Sequence, residues 1–168
     1  MLAAGLEGIV GGLNLVQADY NNDGFLDLLV LRGGWLNEGH PNSLLRNNGD
    51  GTFADVTEDA GLLAPFPTQT AAWGDFDNDG LLDLFLSNAG RIEGGKVIPG
   101  PGLALYLQDD SGGFQEVSRQ VGLKFDGWGT GVAVADYDND GDLDIFLCCW
   151  GADCLWENRD GKFIEVGR

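Results

Sequence analysis

A chain of 168 residues is long enough for one domain with a packed core, and its 43% hydrophobic content is that of a globular protein. It carries 27 acidic against 9 basic side chains, a formal net charge of -18, which supplies no basic patch to track phosphates and argues against nucleic acid as a partner. No run of about 18 apolar residues occurs, so membrane insertion through a helix is not expected.

Glycine accounts for 28 residues without a collagen-like period, which calls for many tight turns and therefore many short strands. The opening Met1-Leu2-Ala3-Ala4-Gly5-Leu6 lacks the basic n-region and long apolar stretch of a secretory leader. Gly5-Leu6 reads instead as the end of a preceding repeat. A first strand is expected over 13–18, leading into the acidic window Asp19-Tyr20-Asn21-Asn22-Asp23-Gly24-Phe25-Leu26-Asp27. The run Leu28-Leu29-Val30-Leu31 follows without polar alternation, as suits a strand covered on both faces. A third strand then precedes the hairpin turn Asn48-Gly49-Asp50-Gly51, a fourth covers 53–56, and 56–60 forms at most one helical turn before Gly61-Leu62.

The same order of elements returns twice. A strand over 70–74 enters Asp75-Phe76-Asp77-Asn78-Asp79-Gly80-Leu81-Leu82-Asp83, and a strand over 131–135 enters Asp136-Tyr137-Asp138-Asn139-Asp140-Gly141-Asp142-Leu143-Asp144, at offsets of 56 and 61 residues. The apolar runs 84–86 and 145–148 follow. Phe114 and Phe163 answer Phe53 in the fourth strands, and Gly122-Leu123 answers Gly61-Leu62. The Gly-rich stretch 94–102 lacks a phosphate-loop lysine and reads as an insertion in the second unit. Self-similarity at this period describes four-stranded blades stacked around an axis: repeat 1 at about 7–62, repeat 2 at 63–123, repeat 3 at 124–168. The fold class is all-β, three four-stranded β-propeller blades. Three blades are too few for a closed ring of the usual four to eight. The chain therefore reads as a slice of a longer array or as a protomer for head-to-tail assembly.

Twelve of the 27 carboxylates fall in the three nine-residue windows, three in the first, four in the second and five in the third. Such crowding of like charge is unfavourable without a cation. A hard divalent ion takes six to eight oxygens. Loop positions 1, 3, 5 and 9, with a backbone carbonyl from position 7 and glycine at 6 for the tight turn, supply them. The candidate ligands are Asp19, Asn21, Asp23, Phe25 and Asp27; Asp75, Asp77, Asp79, Leu81 and Asp83; Asp136, Asp138, Asp140, Asp142 and Asp144. An EF-hand needs a Glu at position 12 and flanking helices, and position 12 here is Val30, Leu86 or Leu147. Ca2+ at three sites is the expected cofactor, with the loop 19–27 weakest because Asn21 stands where the others have Asp77 and Asp138.

The acidic loop followed by an apolar strand resembles the FG-GAP (VCBS-type) repeats of integrin α-subunit propellers. The continuation 42–57, Asn-Ser-Leu-Leu-Arg-Asn-Asn-Gly-Asp-Gly-Thr-Phe-Ala-Asp-Val-Thr, is closer to bacterial VCBS-repeat proteins and cartilage-acidic-protein relatives. The resemblance implies calcium-stabilised propeller blades in secreted or surface proteins. It does not define one activity.

Other features offer little chemistry. His40 is the single histidine and has no neighbouring nucleophile motif, so no enzyme activity is expected. The cysteines Cys148, Cys149 and Cys154 are odd in number, leaving Cys154 to bridge to one of the other two or to neither. Trp35, His40, Phe66, Trp128 and Trp150 are expected on the rim opposite the acidic loops, where aromatics can meet protein or sugar. The expected function is an extracellular structural or adhesive module, the alternatives being a carbohydrate-binding propeller or a non-catalytic appendage of a secreted enzyme.

Overall fold

A computed structural model describes residues 4–32, 40–94, 96–98 and 100–167, the side chains of 91–93, 96 and 97 excepted. Trp35 and most of the loop 33–42 lie outside the described residues. The fold is all-β. Strands β1 (Asn14–Ala18), β2 (Asp27–Leu31), β3 (Ser43–Asn47) and β4 (Phe53–Asp55) form one antiparallel sheet in chain order. The second sheet comprises β5 (Thr68–Gly74), β6 (Asp83–Asn88), β9 (Leu103–Gln108) and β10 (Phe114–Glu116). Between β6 and β9, a separate hairpin of β7 (Arg91–Glu93) and β8 (Lys96–Ile98) forms the insertion. The third sheet is β11 (Gly129–Ala135), β12 (Asp144–Cys149), β13 (Cys154–Arg159) and β14 (Lys162–Gly167). The three blades lie side by side without closing a barrel, with β5 against both β1 and β11.

The second strand of each blade begins on the last acidic residue of its loop. In register, Ala18 faces Asp27, Gly74 faces Asp83 and Ala135 faces Asp144. Burial of these strands departs from expectation in an instructive way. All six residues of β6 are buried, whereas β2 alternates buried with half-buried and β12 exposes Phe146 and Cys148. An apolar run is covered on both faces only where a blade stands on either side, which among these three is true of the middle one.

Two seams join the blades, and side-chain alternation assigns their faces. Between the first and second, Tyr20, Leu29, Leu31 and Leu44 meet Ala71, Leu84, Leu86 and Tyr106. Between the second and third, Phe76, Phe85, Leu103 and Leu105 meet Ile145, Leu147, Trp156 and Phe163. In the first two loops the residue after the first acid marks the seam. The Tyr20 ring lies 6.1 Å from both Trp73 and Phe114, and Phe76 lies 6.1 Å from Phe163.

A Gly-Leu pair latches each seam from the preceding blade. After β4, Leu62 N–H bonds to the Thr57 carbonyl at 3.0 Å; after the single-turn helix α1 (Ser118–Val121), Leu123 N–H bonds to that of Ser118 at 2.9 Å. These are the glycine-closed ends expected where the chain takes a left-handed turn, with φ +78° at Gly61 and +93° at Gly122. Gly5 has the matching φ of +76°. The Ala4 carbonyl accepts Phe53 N–H at 2.9 Å as the Ala60 carbonyl accepts Phe114 N–H at 3.0 Å. Leu62 and Leu123 are 4% and 3% exposed, while Leu6 is 43% exposed. Residues 4–6 thus repeat the shape of the other two latches, with Leu6 exposed.

Candidate metal centres

Each acidic loop is built by its own backbone. The position-1 carboxylate accepts two amides from the far side of the turn. Asp19 takes Asp23 and Gly24 N–H at 2.9 and 2.8 Å, Asp75 takes Asp79 and Gly80 at 3.1 and 3.0 Å, and Asp136 takes Asp140 and Gly141 at 3.1 Å each. Curling this tightly requires left-handed dihedrals at position 4, met by Asn22, Asn78 and Asn139 (φ +55°, +61° and +62°), and again at the position-6 glycines. Asparagine is among the few side-chain-bearing residues that adopt this region readily.

In the second and third loops, three of the acids come together. One carboxylate oxygen from each of Asp75, Asp77 and Asp83 lies within 4.8 Å of the others, and the same is true of Asp136, Asp138 and Asp144. These are positions 1, 3 and 9. Position 5 stands apart from the cluster in both loops. Asp79 accepts the N–H of Leu81 at 2.8 Å and Asp140 that of Asp142 at 2.9 Å, as Asp23 accepts Phe25 N–H at 2.9 Å. In the first loop Asn21 turns inward on its neighbour, its amide donating to Asp23 at 2.9 Å.

Position 9 is buried in all three blades: Asp27, Asp83 and Asp144 are 1%, 0% and 2% exposed. The second and third are held at both oxygens. Asp83 accepts Phe76 and Gln108 N–H at 2.8 and 2.9 Å, and Asp144 accepts Tyr137 and Asn158 N–H at 2.9 and 2.8 Å. Asp27 accepts Asn47 N–H at 2.7 Å through Oδ1, and its Oδ2 is buried with no partner. Sequence reasoning missed Asn47, Gln108 and Asn158, the third-strand residues whose amides seat these acids; the Asn or Gln recurring at the end of the third strand was their signal.

Electrostatics registers the crowding. Burial pushes the Asp83 carboxyl up to about 6, partly opposed by its two backbone hydrogen bonds. Burial likewise raises Asp27. Asp77 and Asp138 are raised by desolvation and then by the neighbouring Asp79 and Asp140. These loops hold carboxylates together against their mutual repulsion. An all-oxygen donor set of this kind, with a buried acid at its floor, fits a hard divalent cation such as calcium.

Elsewhere His40 is exposed. All three cysteines are free thiols, with Cys149 Sγ 4.0 Å from Cys154 Sγ and its thiol pushed up to about 12, chiefly by burial. Phe125, Trp128 and Trp150 line a cavity of about 250 Å³ on the far rim, where Trp150 is 87% exposed.

Four-stranded blades, each with an acidic loop between its first two strands and latched by a Gly-Leu pair, define a propeller-type repeat protein. The family model described as FG-GAP-like repeat matches residues 19–86 and 94–147, most of the chain, and the protein belongs to that family. It is similar to cartilage acidic protein 1 of Xenopus tropicalis, at 32% identity over 142 residues covering 81% of this chain and 20% of that protein. The human protein of the same name is 28% identical over 138 residues, with the same coverage. The chain spans about a fifth of the length of these relatives. No helix among the described residues is long and apolar enough to cross a membrane.

Proposed function

We propose that this chain is a calcium-stabilised extracellular module of structural or adhesive kind, a segment of a larger β-propeller, and that it catalyses no reaction. The observation that carries this reading is the repeated meeting of three carboxylates at positions 1, 3 and 9, with the last one buried at the root of an inner strand. One calcium per loop offsets two of those charges and fixes the hairpin on either side. The ligands are Asp19, Asn21, Asp23, Asp27 and the Phe25 carbonyl in the first loop. In the second they are Asp75, Asp77, Asp83 and the Leu81 carbonyl, with Asp79 turning in from the Leu81 N–H it otherwise accepts, and in the third Asp136, Asp138, Asp144 and the Asp142 carbonyl, with Asp140 turning in likewise from the Asp142 N–H. Calcium sites of extracellular modules commonly have Kd values of about 10⁻⁴–10⁻³ M, so millimolar calcium outside cells keeps them filled.

The ends of the array support its place in something larger. Tyr137 and Phe146 are 48% and 42% exposed, where their counterparts Phe76 and Phe85 are 1% and 0% exposed. Leu15 is 54% exposed on the opposite end, where Ala71 is 6%. Further blades of the same kind cover these faces, in a longer chain or by head-to-tail association of copies. Calorimetric titration and thermal melting test the calcium reading. Saturating calcium is expected to raise Tm by roughly 5–10 °C per occupied loop. Absence of both binding heat and any Tm change at millimolar calcium would sink it. A carbohydrate-binding role is favoured only by the exposed Trp150 beside its cavity; glycan-array binding lost in Trp150→Ala would promote it.

A further inference from the structure

Three hydrogen bonds run without a break from the third acidic loop to the second. Asp144 Oδ1 accepts the Asn158 backbone N–H at 2.8 Å, Asn158 Nδ2 donates to the Phe76 carbonyl at 2.9 Å, and Phe76 N–H donates to Asp83 Oδ2 at 2.8 Å. Both ends are position-9 carboxylates. Asn158 is 0% exposed, and its Oδ1 accepts Gly161 N–H at 2.9 Å, so its amide cannot turn away. A second link lies nearer the surface. Asn78 Nδ2 donates to Asp142 Oδ1 at 2.7 Å, and Asp142 Oδ2 accepts Asp160 N–H, also at 2.7 Å.

Nothing equivalent joins the first loop to the second among the described residues. Gln108 occupies the place of Asn158 and seats Asp83 through its backbone, but its Oε1 is buried without a partner. Leu81, in the place of Asp142, has no side-chain acceptor for Asn22. Asn47 turns back to its own loop, donating to the Leu26 carbonyl at 3.1 Å.

We propose that the loops 75–83 and 136–144 bind their cations as a coupled pair, with Asn158 and Asn78 as the positioning residues that couple them, while the loop 19–27 binds independently. The inference rests on the calcium reading above. An ion in either loop fixes that loop's position-9 acid and the backbone beside it. Groups held in common are then ordered once, and the second ion need not order them again. Repulsion between the two ions acts in the opposite sense, but it is screened across solvent at physiological salt, where the Debye length is about 8 Å. The short hydrogen-bonded path is not.

The position-6 amides of Gly24, Gly80 and Gly141 each donate to the first acid of their own loop, so ¹⁵N-resolved NMR follows the three loops separately during a calcium titration at physiological salt. Disabling the second loop with Asp77→Ala is expected to raise the calcium midpoint read at Gly141 about five- to tenfold and to leave Gly24 where it was. In an Asn78→Gly background, which keeps the left-handed backbone and removes only the amide, the same change is expected to have a smaller effect on Gly141. Asn22→Gly, the matching change in the first loop, is expected to leave the full effect in place. Asn158→Ala removes the deeper link and is expected to lower the factor further, and together with Asn78→Gly to bring it close to one; if Asn158→Ala does not fold, Asn78→Gly decides alone. A Gly141 midpoint that stays within about twofold after Asp77→Ala overturns the coupling while the calcium reading stands. Three glycines that never move overturn both.

Discussion

The two seams use the same repeat positions for packing and opposite ends of the blade for polar locking. Between the first and second blades the lock lies on the rim away from the acidic loops. Asn42 Nδ2 donates to Thr68 Oγ1 at 2.8 Å, and that hydroxyl donates to Asn88 Oδ1 at 2.8 Å, all three side chains being buried. Between the second and third blades the lock is Asn158 with Asn78 and Asp142, on the acidic rim. On the proposed calcium reading, a divalent ion would be an accessory to the first seam and part of the second. The repeat keeps its apolar contacts while leaving each junction free to place its buried polar groups, which must find partners wherever they are put.

Withdrawing calcium should separate the seams most. At calcium 100-fold above Kd each site adds about 2.7 kcal/mol, so chelation should cost about 5 kcal/mol where two loops share a seam and about half that at the first loop alone. Hydrogen exchange should show a larger loss of protection over 129–149 than over 14–31. Equal losses would mean that the ions do not distinguish the junctions. A smaller contrast sets a filled seam against an open face. Leu62→Ala should destabilise by about 2–4 kcal/mol through the cavity it leaves, whereas Leu6→Ala, at the same position on the uncovered end, should cost less than about 1 kcal/mol by urea denaturation. Comparable values would show that something already covers the open end. Smaller again, Asn158→Ala should cost about 1–3 kcal/mol by orphaning the Phe76 carbonyl and Gly161 N–H, and Asn47→Ala, half-buried and bonded within its own loop, should cost less.

The windows at Asp19, Asp75 and Asp136 could be read from sequence because a tight, multiply liganded turn constrains nearly every residue in it. Glycine at position 6 with acids at fixed spacing, three times over, is what a curled loop lined with oxygens demands. The blades were legible for the same reason; the insertion expected at 94–102 begins earlier, with β7 at Arg91–Glu93. The division of labour inside each loop was not. Nothing in the spacing says that Asp79 and Asp140 cap the next turn residue while Asp77 and Asp138 join the cluster, since that depends on which way each side chain leaves a curled backbone. Nor did the runs at 28–31 and 145–148 reveal that, of the three second strands, only β6 is covered on both faces, because cover comes from neighbouring blades. Asn158 was visible as a repeated asparagine; its reach into the adjacent blade belongs to the docking of two sheets.

The finest test of the two seams uses protons in place of calcium. Asp83 is held near 6 in the fold by burial, against an ordinary value of 3.8. Between those values the native state binds a proton that the unfolded chain has released, so in chelator this group's contribution to stability is largest below about pH 4 and declines as pH rises to about 6. Calcium reverses the sense. It needs the carboxylate and displaces the proton, so affinity at the loop 75–83 should strengthen over the same range. The gap in Tm with and without calcium should therefore widen from pH 5 to pH 7. The net charge of -18 also penalises the ion-free fold as pH rises, so the difference must be read against Asp83→Asn, which keeps the bulk charge nearly intact and removes the titrating group. A gap that widens as much in Asp83→Asn as in the parent would assign the effect to the whole surface. In chelator alone, where loss of a ligand cannot enter, a flatter fall of Tm between pH 4 and pH 6 in the variant would place it at the buried acid on which the second seam is built.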